Sequence, residues 1–66
     1  MQLIATEKDC ATVRLDASDI LLLTNALNEV CNGLDVPEFS TRIGVQHEDA
    51  LALLQEMIQL YRNLPA

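Results

Sequence analysis

The hydrophobic pattern changes its period at Asp16, and no other feature constrains the fold as much. Residues 10–15 read Cys-Ala-Thr-Val-Arg-Leu, with Ala11, Val13 and Leu15 on one side and Cys10, Thr12 and Arg14 on the other. Period-two alternation marks a strand with one buried face. Residues 2–6, Gln-Leu-Ile-Ala-Thr, are strand-prone too, and Glu7-Lys8-Asp9 between them is polar and short enough for a hairpin loop. The loop has no Gly, so its turn type stays open.

Past Asp16 the period becomes helical. The Asp16 carboxylate can cap the helix start by accepting from the backbone of Asp19, itself a negative charge in the first turn, where the helix dipole favours it. At about 100° per residue, Ile20, Leu23, Leu27, Val30, Cys31 and Leu34 form one stripe, with Thr24, Asn25, Asn28 and Asn32 opposite. This predicts a helix to about Asn32, stopped by Gly33 in the left-handed conformation. Leu21 and Leu22 fall about 130° to either side of the stripe's centre.

The connector 34–45 contains Pro37, suited to the first position of a helical turn, and a single turn is expected across Pro37 to Thr41. Gly44 releases the chain, and Phe39, the only Phe, plugs the core. A second long helix is expected from near Gln46 or His47 to near Asn63. Glu48 and Asp49 in its first turn and Arg62 in its last suit the dipole. Its core stripe is Ala50, Leu53, Leu54, Met57, Tyr61 and Leu64, flanked by Leu51 and Ile58, and Pro65 closes it.

The reading is an α+β fold of type ββαα: an N-terminal hairpin, then two long antiparallel helices joined by a connector with one short turn. The 66 residues make one domain. The expected core is Leu15, Leu23, Leu27, Val30, Phe39, Leu53, Leu54 and Met57.

Ten acidic residues oppose four basic ones, for a formal charge of −6. Lys8, Arg14, Arg42 and Arg62 are scattered, too few for the phosphate contacts of nucleic-acid binding or for an anionic membrane surface. No apolar run is long enough to span a bilayer, and nothing after Met1 resembles a secretion signal, so a cytoplasmic location is expected. Cys10 and Cys31 are too few for a disulfide scaffold and lack the close pairing of a zinc site. They read as small buried or half-buried hydrophobes, and no cofactor or metal is expected.

No constellation for catalysis emerges, and the chain does not read as an enzyme. His47 has no nucleophile or carboxylate tied to it by spacing and reads as a solvated first-turn histidine. Glu48 and Asp49 are adjacent, so they diverge on a helix and form no dyad. Ser40 lacks the Gly-x-Ser-x-Gly elbow, and Gly33 and Gly44 are isolated. Glu38, Ser40, Thr41 and Arg42 put an acid, two hydroxyls and a guanidinium within one short segment. They form either a binding loop or a locally bonded turn in which Arg42 caps carbonyls or pairs with Glu38.

Asn-Ala-Leu-Asn-Glu-Val-Cys-Asn-Gly at 25–33, followed by Glu-Phe-Ser-Thr-Arg-Ile-Gly at 38–44, resembles a family of short uncharacterised bacterial proteins. That family shares an Asn-rich helix end and a Glu-Phe-x-Thr-Arg-x-Gly segment. The resemblance covers about residues 16–60 and implies a bacterial, cytosolic setting but no activity.

Two functions fit. One is a small acidic, non-catalytic interaction module that self-associates as a homodimer, through hairpin edges or through helices. Leu21, Leu22, Leu51 and Ile58 lie off the core stripes, and a lone hairpin is marginal in water. The other is an inhibitor, antitoxin or immunity-like protein that neutralises a basic partner, which small size and −6 charge favour.

Overall fold

The computed structural model describes residues 1–65. Strand β1 spans Gln2–Glu7 and β2 spans Cys10–Arg14, paired antiparallel. Helix α1 spans Ala17–Asn28 and runs on as a π-turn, Glu29–Gly33. A five-residue helix α2, Phe39–Ile43, precedes α3, His47–Arg62. A hairpin followed by helices, the α+β order expected, is therefore present. The first helix is regular for only 12 residues before it widens.

The hairpin register is Glu7↔Cys10, Thr6↔Ala11 and Ala5↔Thr12, then Leu3↔Val13 and Gln2↔Arg14. The shift between Leu3 and Ala5 leaves Ile4 as the extra residue of a bulge. Two residues, Lys8 and Asp9, make the turn, and Asp9 takes a left-handed φ of 67°. Asp tolerates that region better than most residues, which is how a turn without Gly closes.

The alternation of residues 10–15 forms a strand, but its apolar side covers nothing. Every residue of β1 and β2 is exposed, including Ala11 and Val13, and Leu15 is only half-buried. Cys10 is exposed as well, against the expectation that it packs as a hydrophobe. α1 and α3 pack on each other, and the hairpin lies against neither of them.

The α1 start forms as its residues dictate. Asp16 Oδ1 accepts from the Asp19 N–H at 2.9 Å, and Asp19 Oδ2 accepts from the Asp16 N–H at 3.2 Å, a reciprocal capping box. The Asp19 N–H bond and the Ser18 hydroxyl hold the Asp16 carboxyl below the usual carboxylate value. The α1 end departs from expectation. Gly33 is not left-handed; instead the Leu34 N–H donates to the Glu29 carbonyl at 2.8 Å, the wider i→i+5 bond. The Glu29 carboxylate occupies the space where a Gly33 Cβ would sit. Gly44, with φ 93°, is the left-handed stop, and it ends α2.

The short helical turn also begins two residues later than the Pro37–Thr41 span expected. Glu38 takes φ 53° directly after Pro37, so the helix starts at Phe39. The left-handed residue breaks the run that Pro37 would otherwise begin.

The core is Ile20, Cys31, Ala50, Leu54 and Met57, with Leu27, Phe39, Leu51 and Ile58 packed around its Cys31–Ala50–Leu54 centre. Leu54 and Met57 are buried as expected, while Leu27, Val30 and Phe39 are half-buried. Leu23 and Leu53 are exposed, so the expected stripes were centred too far to one side of each helix. The contact line runs through Cys31, Ala50 and Leu54, and on α3 Leu51 and Ile58 rather than Leu53 pack beside it.

Two stability outcomes follow. Leu54 is 2% exposed, and Leu54→Ala should cost about 2–5 kcal/mol in urea denaturation. Because the Asp16 pKa is lowered by folding, its contribution is present above about pH 4 and lost as the pH falls through the folded value. Asp16→Asn, which can still cap, should flatten the acid side of a Tm-against-pH curve, and Asp16→Ala should lower Tm at neutral pH.

Candidate interaction surface

Chemistry-bearing side chains are dispersed. Glu38, Ser40, Thr41 and Arg42 are all exposed, and the backbone rather than the side chains organises their segment. The Thr41 and Arg42 N–H groups both donate to the Glu38 carbonyl, at 3.0 and 3.1 Å. Among the described residues, none of the four side chains forms an ion pair or a side-chain hydrogen bond with another. Neither the Arg42–Glu38 pair nor the Arg42 carbonyl cap is formed. No three His, Cys, Asp or Glu side chains among the described residues gather as a metal site requires.

His47 is exposed, as a solvated first-turn histidine is, but its ring also has partners. Its Nε2 lies 2.8 Å from the Cys31 carbonyl, and since a carbonyl only accepts, Nε2 carries the proton. Its ring also meets Phe39 edge-on, with centroids 5.0 Å apart. The carbonyls at a helix end lack partners within the helix. His47 supplies one from the start of α3, binding the two helix ends together. The sequence held a signal for this, a His at a helix start following a helix end with no basic residue, but nothing in the spacing paired it with Cys31.

The apolar outliers divide into two groups. Leu51 and Ile58 do not project freely; they are partly buried against the core. Leu21 and Leu22 are exposed, Leu22 to 70%. Beside them stand residues the sequence reading had placed inside, Leu23 and Leu53, together with Leu60. On the hairpin, Leu3 and Ile4 are 62% and 61% exposed. Large apolar side chains are thus exposed on the hairpin, on α1 and on α3.

A cleft of about 150 Å³ joins the hairpin base to α1, lined by Met1, Leu15, Asp19, Leu22 and Leu23. Its one acid is neutralised. The Met1 ammonium lies 2.8 Å from Asp19 Oδ2, and that hydrogen bond raises the ammonium pKa above its ordinary value. A second hollow of about 230 Å³, lined by Met1, Gln2, Arg14 and Asp16, is polar and open to solvent. It brings together a base and an acid but no nucleophile.

No helix among the described residues is long and apolar enough to cross a membrane. Comparison with protein-family models, with curated proteins and with solved structures found no match to this chain.

His47→Ala leaves the Cys31 carbonyl without its donor and should cost about 1 kcal/mol by thermal denaturation. His47→Gln can place an amide donor there and should recover part of the loss.

Proposed function

We propose that this chain is a small, non-catalytic interaction module that works as a homodimer. The hairpin supports this most directly. A two-stranded hairpin is marginal alone. Here both its faces are exposed, both its edges are free, and Leu3, Ile4 and Val13 stand in water. Such surfaces are association sites or aggregation hazards, and a chain of −6 charge resists uncontrolled aggregation. The absence of a role for catalysis fits the site geometry: the one imidazole is committed to a backbone carbonyl. The setting that goes with this reading is the cytoplasm of a bacterium, in line with the family resemblance.

The charge favours a second reading, an inhibitor or immunity-like protein covering a basic partner. Sedimentation equilibrium across micromolar concentrations separates the two. The homodimer gives twice the 7.3 kDa chain mass, with dissociation on dilution. A mass of 7.3 kDa at every concentration overturns it. Salt-sensitive binding to a basic protein by such a monomer would favour the second reading instead.

A further inference from the structure

The chain exposes more surface than a compact monomer, on its hairpin and on its helices alike. It exposes 5361 Å², whereas a compact monomer of this mass exposes about 4,200 Å². Its radius of gyration is 13.3 Å, against about 11 Å for a compact chain of this length. The excess of about 1,200 Å² exceeds the roughly 800 Å² per partner of a standard interface.

The helix pair has one closed side and one bare side. Cys31 at the end of α1 sits beside His47 and packs with Ala50 at the start of α3, so the helices run antiparallel. On α3, Leu51 and Ile58 lie about 60–100° to one side of the Ala50–Leu54–Met57 line, and Phe39 packs against the same core cluster. Leu53 and Leu60 lie to the other side and are exposed. On α1, Leu23 lies in that same rotational sense from Ile20 and Cys31. In an antiparallel pair, equal rotational sense from the contact line leads to one side of the pair. Leu23, Leu53 and Leu60 therefore share a side, and the cleft at Leu22 and Leu23 carries it on to the hairpin base.

We infer that a second copy of this chain covers this bare side, centred on Leu23, Leu53 and Leu60, across a two-fold axis. The inference rests on the self-association reading and names its surface. Charge is consistent with a like partner. Two chains of −6 repel unless acids stay out of the contact. Asp19 is the acid in the cleft, and the Met1 ammonium neutralises it. Glu48 lies on the far side of α3 from the core, and Asp49 and Glu56 fall at the outer rim of the bare side, where water still reaches them. An isologous contact puts the same leucine-bearing side of both copies together.

The test is sedimentation equilibrium of the full chain and of Leu23→Glu, Leu60→Glu and Val13→Glu, with circular dichroism as the check on folding. All three positions are exposed, so the fold should survive. Expected is a wild-type dimer, a dissociation constant raised at least 100-fold by either helix substitution, and a smaller effect of Val13→Glu. If wild type is dimeric, the helix variants stay dimeric and Val13→Glu is monomeric, the surface is wrong and the self-association reading stands. If wild type is monomeric throughout, that reading fails as well. Should a Glu variant lose helical signal, Leu60→Gln replaces it, and a folded, fully dimeric Leu60→Gln overturns the assignment.

Discussion

The fold depends on one junction, where the end of α1 meets the start of α3. A helix end leaves carbonyls unpaired, and here the chain answers in two ways. The π-turn Glu29–Gly33 redirects one bond, from the Leu34 N–H to the Glu29 carbonyl. The His47 imidazole takes up the Cys31 carbonyl from across the junction. Cys31 and Ala50 are small enough to let the two backbones close there, and Leu54 fills the space behind them. Phe39 then packs against both the core and the His47 ring. These contacts lie at the two ends of the connector 34–45, which spans the junction.

At the opposite end of the molecule stands the hairpin. α1 and α3 pack on each other, and the hairpin lies against neither of them. It is attached through Leu15 and the Asp16–Asp19 capping box, with the Met1 ammonium bridging to Asp19. Its register is well defined, and the bulge at Ile4 disturbs the regularity of the β1 edge. Its side chains nevertheless gain almost nothing from burial. The hydrophobic effect scales with apolar area removed from water. A chain that leaves Leu3, Ile4, Leu22 and Leu60 in solvent forgoes much of that stabilisation as a monomer. Under the proposed self-association, a second copy would cover the helix part of this surface, which ties the functional proposal to the stability of the fold.

Much of this was legible in the residues. Alternation over 10–15 and helical spacing after Asp16 are local consequences of backbone geometry, and the Asp16–Asp19 box closes within three residues. The hairpin, the start of α1 and the bounds of α3 therefore stand where the sequence places them. The −6 charge is equally a property of composition. What lay beyond the sequence was rotation and partner choice. A stripe with several leucines on either flank permits more than one contact line, and the choice falls to whichever residues let the helices come closest. The line adopted runs through Cys31, Ala50 and Leu54, with Leu23 and Leu53 outward and Leu51 and Ile58 packed against it. Equally beyond the sequence were the π-turn in place of a left-handed Gly33, the reach of the exposed His47 to the Cys31 carbonyl, and a hairpin whose apolar side meets no helix of its own chain. Local bonds are encoded by neighbours a few residues away; packing is decided by surfaces that meet only after the chain has turned back on itself.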